Sequence, residues 1–437
     1  MTALLENYFA RLDRSQPWRW RGKVVEVVGQ TIESTGPLAS VGECCEIVDR
    51  AGERHLAEVI GFRGTNVLSM PVEDIDGIRF GDELFALDKS PAIDLSQALK
   101  GRVLNALGQP IDGGPMPAVT RSMPLEGAPH PALERIAIRT PLGTGIRVID
   151  SMLTVGRGQR VGIFGGSGVG KSTLIGMMTR NTEADVTVVG LVGERGREVG
   201  EFLEDALGEE GRARSVVIVS TSDESPLKRM RAALAATTVA EFFREEGKNV
   251  LLVLDSLTRF AMAAREIGLA AGEPPTAKGY TPSVFARLAR LIERAGQFGA
   301  GSITAFYTVL MEGDDQQDPL VDSVRSLLDG HVVLSRALAA DGWYPPVAVM
   351  DSISRLMPVV AEAEHREQAA LLRKLVAVLS RSEDLVRIGA YKAGVDPELD
   401  RALAARGAMR EFMTQDAHEH IGFSDCLASL WSLAGEV

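Results

Sequence analysis

The nine residues 165–173, GGSGVGKST, combine four glycines with a lysine and three hydroxyl side chains. They follow the apolar run RVGIF (160–164) and precede the helix-like stretch STLIGMMTR. Glycines let consecutive backbone N–H groups converge on one anion, and the N-terminal end of the following helix adds partial positive charge. The arrangement matches the phosphate-binding pattern G-x-x-x-x-G-K-S and predicts a triphosphate site. The flanking strand and helix disfavour the alternative, a glycine-rich turn that happens to precede Lys-Ser.

Every residue of this nucleotide loop is a candidate for ATP binding, through a backbone amide or a side chain. The predicted nucleotide-binding residues are Gly165, Gly166, Ser167, Gly168, Val169, Gly170, Lys171, Ser172 and Thr173. Lys171 is also a predicted catalytic residue because its ammonium group can bridge the β- and γ-phosphates. Ser172 is a predicted Mg²⁺ ligand, so the expected cofactors are ATP and Mg²⁺.

A second metal ligand is predicted at the end of another buried strand. The apolar run NVLLVLD (249–255) ends in Asp255, and open α/β sheets bind ligands at the carboxyl ends of their strands. Asp255 is therefore predicted to hold Mg²⁺ together with Ser172, as a Walker B aspartate. The alternative is that Asp255 caps the helix-like stretch SLTRFAMAAREIG that follows it.

Hydrolysis also requires a group that activates water, and VGERGREVGEF offers several after the strand-like VTVVGLV (186–192). Glu194 is the predicted catalytic base, with Glu198 as its competitor one helical turn further on. Arg195 is a candidate catalytic residue that could contact the γ-phosphate. Alternatively, these charged side chains form only a set of exposed ion pairs.

Composition limits the remaining possibilities. The 437 residues carry a net charge of −12, which disfavours a protein that grips nucleic acid through its overall field. Cys44, Cys45 and Cys426 show no metal-ligand spacing, which suits a reducing compartment. No stretch has the length and apolarity of a membrane-spanning helix. We therefore expect a cytoplasmic protein.

The chain is predicted to have four parts. Residues 1–21 form an amphipathic segment, which either packs on its own domain or docks elsewhere. Residues 22–88 contain short β-prone runs and turns typical of a small β-barrel that serves in assembly. Residues 89–360 alternate strands with helices, which predicts an α/β, RecA-like P-loop core with a mainly parallel sheet covered on both faces. Residues 361–437 are predicted to be a helical C-terminal domain.

Several longer motifs resemble the type III export ATPases, the flagellar and injectisome relatives of the catalytic subunit of rotary ATP synthases. They include GERGREV, LLVLDSLTRFAMAAREIG, DPLVDSVRSLLDGHVVLSR, SISR and IGAYKAGVDPELDRAL, in the family's order. The likeness extends over nearly all of the chain from about residue 22. It implies a homohexameric ATPase that powers protein export from the cytoplasmic face of the inner membrane.

The resemblance assigns two further residues. Arg355, in SISR, matches an arginine finger that reaches the nucleotide of the neighbouring subunit and is thereby a catalytic residue. Tyr344, in GWYPP, matches the aromatic residue that packs on the adenine ring. From the residues alone, Arg355 could instead be a structural ion-pair partner, and Tyr344 an amphipathic residue that fixes a proline-containing loop.

The resemblance also implies partners and leaves rivals open. Expected partners are further copies of the chain, an export-apparatus regulator, a stalk protein and chaperone–substrate complexes, but no nucleic acid. The sequence departs from the family at PPVAVMD, where Ala348 replaces an expected aspartate, and in a shorter N-terminal segment. We favour flagellar service. The alternatives are an injectisome ATPase, a rotary ATP synthase subunit and an RNA translocase, the last disfavoured by acidic charge and few aromatic residues.

Overall fold

The computed structural model describes residues 19–73, 77–127, 130–311 and 318–436. Most of the predicted N-terminal amphipathic segment (residues 1–18) therefore lies outside the described residues, as does the acidic stretch 312–317. Within the described ranges, none of the helices combines the length and apolarity that a membrane span requires.

The N-terminal part is a closed antiparallel barrel with strand order β1-β2-β5-β4-β3-β6. Its inward-facing side chains form a separate small core around Val24, Ile47 and Leu84. The strands are β1 (Arg21–Val28), β2 (Thr31–Ser34), β3 (Cys44–Val48), β4 (Arg54–Arg63), β5 (Asn66–Pro71) and β6 (Glu83–Ala86). The alternating burial along β1 reflects the two-residue period of a strand that faces both a core and water. The predicted barrel is confirmed.

Three short strands follow the barrel. They are β7 (Ala92–Leu95), β8 (Val103–Asn105) and β9 (Arg121–Pro124). β7 and β9 pair with each other, whereas β8 joins the sheet of the core as its edge strand, parallel to β14. This stretch therefore connects the barrel to the core and also completes the core.

The core is a nine-stranded sheet with the order β19-β18-β12-β17-β15-β13-β14-β8, and β16 pairs with β17 beside this path. The pairings are parallel except those of β16 and β19. The strands and the small β10-β11 pair are β10 (Pro141–Leu142), β11 (Val155–Gly156), β12 (Arg160–Gly165), β13 (Val186–Glu194), β14 (Ser215–Thr221), β15 (Asn249–Asp255), β16 (Gly296–Gln297), β17 (Ser302–Leu310), β18 (Gly330–Val333) and β19 (Ile353–Ser354). Both faces of this sheet are buried, by two large apolar clusters, as predicted for a doubly covered parallel sheet.

Helices cover the sheet and form the C-terminal domain. They are α1 (Arg147–Met152), α2 (Lys171–Asn181), α3 (Gly196–Glu201), a π-helix (Phe202–Leu207), α4 (Gly208–Ala213), α5 (Pro226–Glu245), α6 (Leu257–Ala270), α7 (Pro282–Ile292), α8 (Pro319–Leu327), α9 (Arg336–Ala340), α10 (Met357–Val360), α11 (Ala363–Arg387), α12 (Pro397–Met413) and α13 (Phe423–Glu436). Single 3₁₀ turns span Gln97–Leu99, Ala132–Glu134, Ala277–Gly279 and Val349–Asp351. A capping motif starts α5: Ser225 accepts a hydrogen bond from the Lys228 N–H, and Pro226 is the first helical residue.

A buried ion pair fixes the barrel to the core. The Arg231 guanidinium, on α5, donates to Glu58 Oε2 on barrel strand β4 at 2.7 Å, and both side chains are buried. Burial raises the pKa of Glu58 even though Arg231 lies beside it. The hydroxyl of Ser225 also donates to the carbonyl of Val72. The barrel is thus held on the same helix, α5, that packs on β13 and β15.

Candidate functional site

The nucleotide loop leaves the end of β12 and leads directly into α2. Gly168 and Gly170 adopt φ values of +76° and +89°, the left-handed region that glycine occupies without a steric penalty. Gly170 is the N-cap of α2 and contributes no side-chain hydrogen bond to the helix. The first amides of α2 therefore lack a side-chain cap and can bind an anion.

Lys171 and Asp255 come from different elements and meet at the carboxyl ends of β12 and β15. Lys171 Nζ lies 3.7 Å from Asp255 Oδ1. Asp255 is only 4% exposed, and its Oδ1 accepts a hydrogen bond from Thr308 Oγ1 at 2.6 Å. The alternative role of Asp255 as a helix cap is wrong, because Ser256 caps α6 by accepting from the Arg259 N–H.

The donor set fits a hydrated Mg²⁺ ion. Ser172 is exposed at the start of α2. Hydroxyl and carboxylate oxygens, such as those of Ser172 and Asp255, are ligands that Mg²⁺ prefers. Among the described residues, hydrogen bonds to Asp255 reach Oδ1 only, which leaves Oδ2 available as an acceptor. The site therefore offers the oxygen ligands that such an ion requires.

Glu194 lies at the last position of β13, where the strand is bulged. The register to β14 shifts between Val192 and Glu194, and Gly193 takes a φ of +71°. At this local break the Glu194 carboxyl group lies close enough to Asp255 and Lys171 to be affected by both charges. Burial, then repulsion from Asp255, raise the pKa of Glu194 to about 7. A carboxyl group that titrates near neutrality is suited to accept a proton.

Arg259 is a residue of this site that the sequence analysis missed. Its side chain packs against Gly193, where an added Cβ would lie 3.1 Å from the Arg259 Cβ. Its positive charge, like that of Lys171, lowers the pKa of Glu194 and so opposes the effect of burial. The signal in the sequence was its place four residues after Asp255, one turn along the helix that starts there.

Arg195 and Glu198 lie at the rim of this site. The Arg195 side chain is 72% exposed, and its Nη1 lies 3.6 Å from a carboxylate oxygen of Glu198. The predicted ion-pair alternative for these residues is therefore present in the structure. A hydrogen bond with Glu198 is a further cause that raises the pKa of Glu194.

Tyr344 lies against the nucleotide loop. A Cβ placed on Gly170 would be 3.4 Å from Tyr344 Cε1, so the phenol ring is in contact with the loop backbone. The residue is 46% exposed, and a cleft of ≈ 640 Å³ opens beside it. Its ring is therefore available to a planar ligand next to the phosphate-binding amides.

Arg355 lies at the opposite end of the parallel strands from the nucleotide loop. Its N–H donates to the carbonyl of Asp329 at 3.0 Å, and the Asp329 N–H donates to the carbonyl of Arg160 at 2.9 Å. The main chain of Arg355 is thus level with Arg160, at the start of β12, whereas Gly165 ends that strand. Five residues of strand span about 16 Å. Within the described part of the chain, no hydrogen bond or ion pair holds the Arg355 side chain, which is exposed.

Comparison with known proteins places this architecture in a class. The ATP synthase alpha/beta family matches twice, with its beta-barrel domain at residues 24–84 and its nucleotide-binding domain at residues 145–354. The T3SS EscN ATPase C-terminal domain matches residues 361–432. The order of the three matches follows the order barrel, core and helical domain. These matches define a P-loop ATPase of the ATP synthase alpha/beta type.

Individual relatives narrow the class. A flagellum-specific ATP synthase of Treponema pallidum is 51% identical over 434 residues, 99% of this chain and 97% of the relative. The assembled ATPase EscN of the enteropathogenic E. coli type III secretion system superposes with a TM-score of 0.90 at 42% identity, covering 94% of this chain and all of EscN. EscN in complex with its central stalk EscO gives a TM-score of 0.87. The chain belongs to the family of flagellar and type III secretion ATPases.

Proposed function

We propose that the chain hydrolyses ATP to energise protein export through a flagellar type III apparatus, and that it does so as a homohexameric ring. One observation carries the chemistry: Lys171 begins α2, Glu194 ends β13 and Asp255 ends β15, and the three charged groups still interact with one another. The flagellar assignment is supported by the 51% identity to a flagellum-specific ATP synthase. Service in an injectisome remains the rival, supported by the similarity to EscN.

Binding of the triphosphate is assigned to the nucleotide loop. The amides of Gly166 to Gly170 surround the phosphates, and Lys171 neutralises the β- and γ-oxygens. Ser172 and Asp255 would hold Mg²⁺, with Asp255 acting through water, and the ion would supply Lewis-acid polarisation of the same oxygens. Lys171 must leave its 3.7 Å contact with Asp255 to reach the phosphates. The adenine ring of ATP packs on Tyr344.

Proton transfer is assigned to Glu194. In its ionised form the carboxylate accepts a hydrogen bond from the attacking water and takes its proton as the bond to the γ-phosphorus forms. The bond from that phosphorus to the β–γ bridging oxygen breaks at the same time, and ADP leaves. Lys171 and Arg259 favour this ionised form, whereas burial and Asp255 oppose it. Arg195 contacts the γ-phosphate after it releases Glu198, and an exposed pair of this kind is worth at most about 1 kcal/mol.

The position of Arg355 supports the proposed ring. A side chain at the far end of the strands cannot reach the loop of its own chain, about 16 Å away along the strand. In a closed heterologous ring, however, this end of one subunit would face the nucleotide of the next. Arg355 would then stabilise the charge of the transition state in the neighbouring subunit. A site completed by two copies couples hydrolysis to assembly.

Partners and location are part of the same proposal. A stalk protein, an export-apparatus regulator and chaperone–substrate complexes would bind the ring at the cytoplasmic face of the inner membrane. The solved complex of EscN with its stalk EscO supports the stalk partner. The net charge of −12 gives no support for binding nucleic acid.

The test uses the purified full-length chain alone. We expect RNA-independent ATP hydrolysis whose specific activity rises with protein concentration as rings form. Hydrolysis that requires a second, non-identical subunit would favour the rotary synthase, and hydrolysis that requires RNA would favour the translocase. For export, the chromosomal gene is replaced by the Glu194→Gln variant and flagellar filament protein in the medium is measured. Unchanged filament export by a variant that has lost ATP hydrolysis would reject the flagellar role.

A further inference from the structure

Gln415 joins the C-terminal domain to the segment that precedes the nucleotide loop. The residue is 6% exposed and follows α12 in the chain. Its side-chain Oε1 accepts a hydrogen bond from the Arg147 N–H at 2.8 Å, and its Nε2 donates to the Gly145 carbonyl at 2.8 Å. Nε2 also donates to the carbonyl of Glu419 at 3.1 Å. All the polar atoms of this amide are therefore bonded to backbone.

The segment to which the Gln415 amide is hydrogen-bonded, around Gly145 and Arg147, is itself held by buried hydrogen bonds. Asp150 is fully buried and accepts hydrogen bonds from Thr144 Oγ1 at 2.6 Å, from the Thr144 N–H at 2.8 Å and from the Gly145 N–H at 3.0 Å. Gly145 also packs so closely on α2 that an added Cβ would lie 2.4 Å from Asn181 Cβ. The anchor of Gln415 is thus fixed to the helix that carries Lys171.

The backbone of Gln415 holds Tyr344. The Gln415 N–H donates to the Tyr344 carbonyl at 2.8 Å. The ring of Tyr344 in turn contacts Gly170, and both residues border the nucleotide loop. Gln415, Tyr344, Arg147 and Arg410 all line the ≈ 640 Å³ cleft. A continuous set of contacts therefore leads from the C-terminal end of α2 through Gln415 to the exposed ring of Tyr344.

We propose that Gln415 is a positioning residue that sets the distance between the Tyr344 ring and the phosphate-binding loop, and so determines affinity for the nucleobase. This inference rests on the proposed function, because it assumes that Tyr344 packs on the base of ATP. The Gln415 amide fixes residue 415 relative to the loop, and the N–H of residue 415 then fixes Tyr344. Without the hydrogen bonds of the Gln415 side-chain amide, the Tyr344 ring is still present. Its distance from the bound phosphates is then no longer fixed.

Other contacts keep the C-terminal domain in place when Gln415 is changed. Arg147 Nη1 donates to the Thr414 carbonyl at 3.0 Å and to the carbonyls of Glu411 and Phe412 at 3.3 Å, and Arg147 also pairs with Glu419. The effect of a Gln415 substitution should therefore fall on the position of Tyr344 and leave the domain folded.

The experiment is a double-mutant cycle on the full chain, with steady-state kinetics for ATP. Gln415→Met keeps the length of the side chain and removes its hydrogen bonds. We expect KM to rise roughly two- to tenfold, the range of an aromatic stacking contact, while kcat is unchanged. Gln415→Glu keeps the acceptor for the Arg147 N–H but sets a carboxylate oxygen against the carbonyls of Gly145 and Glu419, and should raise KM at least as much. Gln97→Met is the matched control, because the Gln97 amide bonds Glu246 far from the cleft.

The decisive measurement is made in the Tyr344→Ala background. Once the ring is absent, Gln415→Met should cause no further rise in KM, because its effect passes through the ring. An equal rise with and without Tyr344, or a fall in kcat at constant KM, would overturn the proposal. If Gln415→Met does not fold, the same cycle is run with Gln415→Glu. Absence of turnover in the unchanged chain would instead reject the proposed function, so the two failures are distinguishable.

Discussion

At the scale of single residues, the crowding of Glu194 by a second carboxylate makes its protonation sensitive to pH near neutrality. Burial and Asp255 raise the pKa of Glu194 to about 7. A general base acts only in its ionised form, so activity is lost as pH falls through that value. We expect kcat/KM for ATP, which reports the free enzyme, to rise as pH is raised through about 7 and then to level off.

The control for this profile is Glu198→Gln. The hydrogen bond between Glu198 and Glu194 favours the protonated form of Glu194 and raises its pKa. Removing the Glu198 carboxyl group should therefore move the midpoint of the profile to lower pH without abolishing turnover. Loss of turnover in Glu198→Gln would identify Glu198 as the base and contradict our assignment.

A second prediction separates binding from chemistry. Glu194→Gln should lower kcat by about 10²–10⁴-fold because it removes the proton acceptor. The same variant should still bind ATP, because its nucleotide loop is intact. Lys171→Ala should lose turnover together with phosphate affinity. Phosphate release and the binding of a fluorescent ATP analogue measure the two properties; normal hydrolysis by Glu194→Gln would show that the base lies elsewhere.

At the scale of elements, the ion pair between β4 and α5 fixes the barrel to the core. Arg231→Met leaves the buried Glu58 carboxylate without its partner, which typically costs about 3–5 kcal/mol. We expect the free energy of unfolding of the barrel to fall by this order, measured by chemical denaturation. Arg54→Met is the matched control: Arg54 is 61% exposed and pairs with Glu46, so its loss should cost about 1 kcal/mol or less. Equal effects of the two substitutions would contradict this prediction.

The elements that the sequence predicts well are those whose own residues specify them. The run NVLLVLD predicts strand β15 with its observed bounds, because near-continuous apolar residues suit only a strand buried on both faces. The end of α5 is equally clear, since Gly247 follows it with a φ of +80°. At the site, the loop glycines, Lys171 and Asp255 are predicted because strand ends bring them to one edge of the sheet.

What the sequence did not predict depends on tertiary contacts. The strand β8 has only three residues, and its pairing with β14 alone makes it a strand. Arg259 and Gln415 escaped notice because each acts on a partner distant in the chain, Glu194 and Gly145 respectively. No local pattern marks such pairs.

At the scale of the whole molecule, the ring proposal predicts complementation between two inactive forms. Arg355→Ala should lower kcat by about 10³-fold or more, the usual contribution of an arginine finger. Lys171→Ala is inactive for a different reason, since its own loop is damaged. Mixing the two leaves about one interface in four with an intact loop facing an intact arginine, so activity should partly return.

The measurement is phosphate release from mixtures of the two variants at fixed total concentration. Sedimentation of the mixture shows whether rings have formed. A maximum near equal proportions is expected. Mixed rings with no more activity than either variant would show that Arg355 does not act across the subunit boundary.

The edge position of β8 has a practical consequence for work with fragments of this protein. A fragment that starts just before Ala92 retains the whole sheet. One that starts after Pro124 lacks β8 and exposes to solvent the backbone amides and carbonyls of β14, an apolar strand. Bare edges of that kind template pairing between molecules. The shorter fragment should accumulate as insoluble, β-rich aggregate on expression, whereas the longer one should remain dispersed.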